Sequence, residues 1–593
     1  MARLDPHSYA DDAHPQVRSF AWKARLDFTA RVVHAELTLR FEHPAEGPLD
    51  LDTRDLTIVK VTTPDGRAIP YVLHPPEPIL GARLALTLPP GTPFLTVTYS
   101  TAPDASALQW LEPVQTAGGK LPFLFSQCQA IHARSVLPLQ DTPRVRVTWE
   151  AEITAPRELR VLMAAASLGR EEDGGVCVER FAMPQPIPPY LFGIAVGDLA
   201  SRDLGPRSRV WAEPSVLDRA AWEFASVDAM MSAGEGLFGP YDWDRFDVLV
   251  MPPSFPYGGM ENPRLTFVTP TLLAGDRSQV RVIAHELAHS WTGNLITNAN
   301  AEHFWLNEGW TRYAELRIVE ALEGDEVAAL HAALGVRALE RTLASFKTQG
   351  RLGLTRLRTH LAGIDPDDAF SEVPYEKGCL FLQALERHVG RPRFDAFLRT
   401  YMDRFRFGVI TTEAFLTLVS EVLPGALEAV DAPRWIDHPG LPEGATPPRS
   451  ARLERVLALG ARLPDADAAT AMSSTEWQLY LEALALPAPL ELCRGLDARF
   501  ELTAQGNYEV LVAWLCVALA SGHDPAIPRA LELLGEVGRM RYLKPLYRSL
   551  LDRPDTAPRA REAFALHAAG YHPIARTVLQ AMMPPVVAAP PGV

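Results

Sequence analysis

Cysteine pairs are missing from this sequence. Its five cysteines, Cys128, Cys177, Cys379, Cys493 and Cys516, are scattered, odd in number and include no C-x-x-C. That excludes a disulfide framework and suits free thiols in a reducing compartment. A basic excess is missing too: 57 Lys and Arg face 72 Asp and Glu, a formal charge of −15. This balance keeps a protein soluble and argues against nucleic-acid or anionic-membrane binding. Long apolar runs are also absent. The longest, Val510 to Ala520, is too short to span a bilayer and reads as a buried helix. The first eighteen residues carry Asp5, Asp11, Asp12, His7 and His14 without an apolar stretch, so no secretory signal is read there. The expectation is a cytoplasmic protein, monomeric by default because no coiled-coil heptads are seen.

What is present is enough chain for several cores. At 593 residues the sequence should divide into three or four domains, since single cores rarely grow past about 250–300 residues. Residues 1–202 read as a β domain. Val32 to Phe41 alternates apolar and polar with period two, and Leu56 to Thr62 does so less cleanly. Leu84–Leu88 ends at Pro89-Pro90-Gly91, and Leu95–Tyr99 is read as the next strand. Such spacing predicts a large antiparallel sandwich or saddle-like sheet. From 203 to 441 the pattern turns α+β, with Asp218–Leu237 helical and Phe246–Met251 an apolar strand. Residues 442–452, rich in Pro and Gly, read as a linker. Amphipathic helices with short connections fill 453–583 and predict stacked helix pairs, while 584–593 reads as a flexible tail.

The chemistry centres on His285-Glu286-Leu287-Ala288-His289, followed eighteen residues later by Glu308. On an α-helix, residues four apart lie one above the other, so His285 and His289 can grip one metal ion. Glu286 then sits beside it to work on a water. Taken alone the motif is equally an exposed helix with two solvated imidazoles. Its surroundings argue otherwise, because Ser278–Ala284 reads as helix and Glu308 lies in a second helix, Glu302–Leu322. Two His and one Glu leave a fourth position open, which is the pattern of catalytic zinc and not of structural zinc.

Three stretches together resemble the M1 family of zinc aminopeptidases, and within it the leukotriene A4 hydrolase branch. They are Gly258-Gly259-Met260-Glu261-Asn262, the H-E-x-x-H-x18-E set, and Val373-Pro374-Tyr375-Glu376-Lys377-Gly378. Ser126–His132, Pro253–Tyr257 and Phe304–Gly309 resemble the same branch. The resemblance implies a β saddle, a thermolysin-like zincin domain and an α-helical C-terminal domain. It implies one Zn2+ per chain on His285, His289 and Glu308, with Glu286 as general base turned acid and Tyr375 meeting the oxyanion.

It further implies that Glu261 pairs with a substrate's α-ammonium, which would make the enzyme an exopeptidase acting on short peptides with a free N-terminus. Gly258, Gly259, Met260 and Tyr257 would flank an extended peptide, and Gln129 would line the same N-terminal subsite. Arg539 and Arg541 match a basic pair that holds a peptide's C-terminal carboxylate, favouring tripeptide length, although Arg541 stands where the branch's best-known members carry Lys. Seven residues after Glu308, on the same helical face, Glu315 is read as orienting a zinc-bound His.

Two other readings stand beside the aminopeptidase. Asp367 matches the aspartate used for epoxide opening in the branch, but Phe370 and Ala301 replace a tyrosine and a tryptophan of the lipid pocket. Epoxide hydrolysis of the leukotriene A4 type is therefore the second reading. A non-catalytic scaffold is the third, opposed by the retention of His285, Glu286, His289, Glu308, Glu261 and Tyr375 together.

Overall fold

The computed structural model describes residues 4–279, 281–443, 445–446 and 449–583. The expected tail, 584–593, lies outside the described residues, as does part of the passage 442–452. The chain forms two compact units. The first comprises Met1–Leu249, Met260–Phe267 and Arg281–Arg449, and the second Val250–Gly259, Val268–Val280 and Ser450–Val593.

The N-terminal part of the first unit is a mixed eight-stranded sheet. Its long strands are β1 (Val17–Asp27), β2 (Val32–Thr53) and β5 (Ala82–Ser100), with β3 (Thr57–Thr62) and β4 (Tyr71–Leu73) on the β5 edge. β1 runs antiparallel to β2 and parallel to residues 147–156. Alternation decides which face is buried: Phe20, Trp22, Ala24 and Leu26 point inward from β1, and Leu37 and Leu39 from β2. One expectation fails here. Pro89-Pro90-Gly91 does not end a strand, because β5 continues through it along β2. The register slips between Arg40 and Ala45 and again before Gly47, so both strands bulge together. Gly47 and Gly91 supply the positive φ that such a bulge requires.

A second sheet, 108–111, 123–126, 194–197 and 160–163, ends in the segment carrying Gln127 and Gln129. Near it the fully buried Arg134 donates to Asp141 Oδ2 (2.9 Å) and to the carbonyls of Leu80, His7 and Asp141. Asp52, 3.8 Å from the same guanidinium, accepts from Ser8 Oγ and from the Tyr9 and Asp141 amides.

The rest of the first unit is α+β. The helix expected over 218–237 is two, α1 (Leu217–Glu223) and α2 (Val227–Phe238), separated where Phe224 turns into the core. The metal-motif helix α3 runs Arg281–Ala288. Ser278 instead caps back onto Asp276 Oδ1 through its amide and hydroxyl. α4 (Trp305–Glu323) is buried from Trp305 to Val319 and still contains Glu308, Arg312, Glu315 and Arg317. A helix buried all round can carry charge only in pairs. α5 (Asp325–Thr348), the short α6 (Pro366–Ala369), a π-helical turn at Val373–Lys377 and α7 (Gly378–Val389) follow. α4 crosses the start of α7 at two glycines. A Cβ on Gly309 would lie 2.8 Å from Gly378 Cα and 3.0 Å from Pro374 O. This contact of backbones brings the turn holding Tyr375 against the helix holding Glu308.

In the second unit, consecutive helices join by short connections. Residues 474–483 pack on 508–520, which pack on 540–551, while 527–536 pack on 557–567. Alternate helices thus form two layers, the stacked arrangement expected. No helix among the described residues is long and apolar enough to cross a membrane, and none of the five cysteines is in a disulfide.

Candidate active site

α3 does what its spacing dictates. The His285 and His289 rings sit 4.8 Å apart between centroids. Their Nδ1 atoms are occupied: His285 Nδ1 meets Glu315 Oε2 at 3.0 Å, and His289 Nδ1 meets Thr292 O and Thr311 Oγ1, both at 3.1 Å. A carboxylate and a carbonyl can only accept, so each Nδ1 carries a hydrogen and each Nε2 offers a lone pair. The two Nε2 atoms lie 3.4 and 3.5 Å from Glu308 Oε2. That oxygen is buried without a hydrogen-bond partner among the described residues. Three lone pairs converging on one buried point repel one another unless a cation lies between them. The two imidazoles and one carboxylate fit a zinc ion with an open position.

The carboxylates around this point are held in different states. Burial lowers His289 to about 4, leaving its imidazole neutral. At His285 burial opposes charge, but Glu308 and Glu315 push it well above the ordinary range, a pull toward positive charge that a metal ion on Nε2 would answer in place of a proton. Glu315 is buried too, yet the Arg312 guanidinium and His285 keep it far below a free carboxyl. Glu286 and Glu261 form a second group with His289. Glu261 is 4% exposed, accepts from Gln129 Nε2 at 3.2 Å, and is fixed through its main-chain carbonyl by Asn294 Nδ2 at 2.7 Å. Burial, then repulsion from Glu308 and Glu286, drives its carboxyl well up. A pocket with three carboxylates calls for cationic guests. Tyr375 is half-buried, with its ring 5.9 Å from that of His285. Burial and nearby Glu308 hold its phenol protonated, hence a donor.

The other expected residues fall into two groups. Met260, buried in the first unit, takes a contact from Gln127 Nε2 at 3.1 Å. Asp367 Oδ2 is bound to His132 Nε2 at 2.9 Å, and His132 Nδ1 is shared by Ser106 Oγ and Arg54. Gly258, Gly259, Tyr257, Arg539 and Arg541 belong to the second unit, with Gly259 at its edge. There Arg539 is 5% exposed, and its Nη1 meets Glu509 Oε1, Tyr542 Oη and Thr271 Oγ1. A Cβ on Gly258 would lie 2.9 Å from Arg539 Nη2, so that glycine makes room for the guanidinium. Arg541 Nε lies 3.4 Å from Glu509 Oε2, so one carboxylate partly satisfies both arginines.

The sequence reading missed Arg312, Thr311 and the two crossing glycines. Charges at 308, 312 and 315 recur on one face of α4, and that pattern was the available signal.

With this geometry in view, comparison with known proteins is decisive. Residues 8–191 match the peptidase M1 N-terminal domain, 222–435 the peptidase family M1 domain, and 472–583 the leukotriene A4 hydrolase C-terminal domain. The chain belongs to peptidase family M1. This M1 peptidase is 38% identical to a leukotriene A-4 hydrolase from Xenopus laevis, over 96% of its own chain and 97% of that protein. It is also 38% identical to a leucine aminopeptidase 2 from Yarrowia lipolytica, covering 97% and 93%. The structure of yeast LTA4 hydrolase in complex with bestatin superposes with a TM-score of 0.91 at 33% identity, covering 98% and 97%. A β-sheet domain, a catalytic domain and a helical C-terminal domain are the shared architecture.

Proposed function

We propose that the protein is a zinc aminopeptidase that releases the N-terminal residue of short, tripeptide-sized peptides, with one zinc per chain. The observation that carries this reading is Glu261: a buried carboxylate, oriented by Gln129, grouped with Glu286 and His289. An α-ammonium seated on Glu261 leaves the first peptide bond, and no later one, over the metal ligands. Peptides blocked at the N-terminus bring no cation to that carboxylate and are excluded. The enzyme class is supported by the family and by the leucine aminopeptidase relatives.

His285 Nε2, His289 Nε2 and Glu308 would hold the zinc, which when bound supplies a Lewis acid that acidifies water and polarises a carbonyl. Glu286 takes the proton of the attacking water and returns it to the leaving amine. The Tyr375 hydroxyl donates to the oxygen on which charge develops. Glu315 and Thr311 hold the two imidazoles in the tautomer that faces the metal. Gly258, Gly259, Met260 and Tyr257 are assigned to the peptide path. Arg539 and Arg541 are assigned to the peptide's C-terminal carboxylate, supported by their side-by-side placement on the Glu509 carboxylate. We infer domain limits at 1–202, 203–441 and 453–583, supported by the three family matches lying within them. A monomer is inferred as well.

The test is a panel of aminoacyl-p-nitroanilides and an Arg-led tripeptide, free and N-acetylated, with zinc measured on wild type and Glu286→Gln. Wild type should cleave only the free amines, and Glu286→Gln should keep zinc while losing at least about 10²-fold in kcat. Wild type that holds zinc and cleaves nothing in the panel sinks the reading. Epoxide hydrolysis of the leukotriene A4 type is the second reading, a leukotriene A-4 hydrolase being among the relatives. For it the committed Asp367 Oδ2 is unfavourable, since His132 already holds that oxygen.

A further inference from the structure

Arg312 lies one turn beyond Glu308 on α4 and is 4% exposed. Each arm of its guanidinium is used. Nη1 donates to Glu315 Oε1 (2.5 Å), Nε to Glu376 Oε1 (2.8 Å) and Nη2 to His331 O (2.7 Å) on α5. The two carboxylates lead to opposite halves of the site. Glu315 continues to His285 Nδ1 at 3.0 Å. Glu376 follows Tyr375 directly in the π-helical turn Val373–Lys377. Two further features keep Glu376 in place. Gly335, inside α5, has no side chain where a Cβ would run into the Glu376 carboxyl. The Gly309–Gly378 crossing holds the turn at backbone contact with α4.

We propose that Arg312 is a positioning residue that links the zinc ligand His285 to the tyrosine turn, so that the metal site and the oxyanion donor are set by one guanidinium. The inference rests on the zinc and Tyr375 assignments above and adds to them a coupling. A planar fork with fixed donor directions can hold two carboxylates at a set angle, whereas an ammonium is a single point charge. Among the described residues Glu376 has no hydrogen bond or ion pair to His285, His289 or Glu308, and its hydrogen-bonded route to the metal site runs through Arg312 and Glu315. Loss of Glu376 therefore frees one arm of the guanidinium, loosens Glu315, and lets the His285 ring rotate out of register.

The experiment measures zinc release from the holoenzyme into the chelator 4-(2-pyridylazo)resorcinol, together with kcat and KM on a free-amine tripeptide. Variants are Arg312→Lys, Glu376→Ala, Glu376→Gln and Tyr375→Phe. Arg312→Lys and Glu376→Ala should release zinc about 10–100-fold faster, the range typical when a ligand's outer partner is lost. In both, kcat should fall with KM within about twofold, since neither residue touches substrate. Glu376→Gln keeps an acceptor for Arg312 Nε and should release zinc at the wild-type rate. Tyr375→Phe should lower kcat and leave zinc release unchanged. If Arg312→Lys does not fold, the Glu376→Ala and Glu376→Gln pair decides. Glu376→Ala with wild-type zinc release overturns the coupling, even if turnover falls. Wild type that retains no zinc overturns the functional reading itself, and zinc-loaded active wild type with an unaffected Glu376→Ala overturns only the coupling.

Discussion

Two arginines of the first unit, Arg134 in the N-terminal sheet region and Arg312 in α4, are buried to nearly the same degree. Each binds carboxylates with one part of the guanidinium and main-chain carbonyls with another. Their immediate surroundings are nearly interchangeable. The difference lies one bond further out. Asp52 and Asp141 pass from Arg134 back to backbone amides of residues 9, 141 and 134, so that cluster closes on the chain and ties residues 5–9 to the sheet. Glu315 passes from Arg312 to His285, so this cluster ends on a proposed metal ligand. Burial and pairing alone do not separate a structural ion cluster from a functional one; the partners of the partners do.

The largest effect should come from cutting the structural cluster. Arg134→Met leaves Asp52 and Asp141 buried without their cation, which costs about 3–5 kcal/mol. Urea unfolding should show that loss, while zinc release from the protein that remains folded keeps its wild-type rate. Faster zinc release in Arg134→Met would erase the distinction drawn here.

A pH measurement sharpens the same side. Burial raises Asp52 from 3.8 to about 6 despite the Arg134 guanidinium. The folded protein therefore binds a proton more tightly than the unfolded chain between pH 3.8 and about 6. The resulting stability is complete below pH 3.8 and is lost as pH rises through 6. The difference in unfolding free energy between wild type and Asp52→Asn should fall by about 2–2.5 kcal/mol from pH 4 to pH 7. A flat difference would show that Asp52 stays ionised throughout, and that Arg134 outweighs its burial.

On the functional side, Glu315→Gln should act on the metal before the fold. The amide oxygen can still accept from His285 Nδ1, but the charge that raises the ligand's basicity is gone. Zinc affinity should drop about 10–100-fold in chelator competition. The urea midpoint of the metal-free protein should move less than in Arg134→Met. Equal movement in both would return Glu315 to the structural class.

How much of this was legible follows from how each contact is encoded. His285 and His289 sit at helical spacing, and spacing is periodic information that a sequence displays directly; Glu308, on a second helix, was reached through the family pattern. Glu315 could be placed for the same reason, being seven residues from Glu308 on the same face. The alternating strands β1 and β2 were readable by period two. The continuous β5 was not, because Pro89-Pro90-Gly91 signals a turn locally and only the matching bulge in β2 reveals that the strand carries on. Arg312 with Glu376, and Gly309 with Gly378, join residues 64 and 69 positions apart. Contacts of that range depend on how α4 meets the turn after α6, and no local pattern records it. Asp367 was read from the resemblance, and its partner His132, in the N-terminal part of the chain, is another contact that no local pattern records.

The smallest predicted change in stability is also the finest probe of the two clusters. Gly335 is interior to α5, where glycine is about 1 kcal/mol worse than alanine. Alanine there should therefore stabilise, were it not for the Glu376 carboxyl that a Cβ would meet. That obstacle is the end of a flexible side chain and can swing aside, so the gain and the displacement should nearly cancel, leaving Gly335→Ala within about 1 kcal/mol of wild type. The swing takes Glu376 away from Arg312, however. Zinc release should then quicken towards that of Glu376→Ala while the unfolding curve barely moves. A change that is almost invisible to stability yet visible to the metal is what the Arg312 cluster should give and the Arg134 cluster should not. If Gly335→Ala is instead stabilised by the full helix-propensity gain with zinc release unchanged, Glu376 has room to spare and the glycine there needs another explanation.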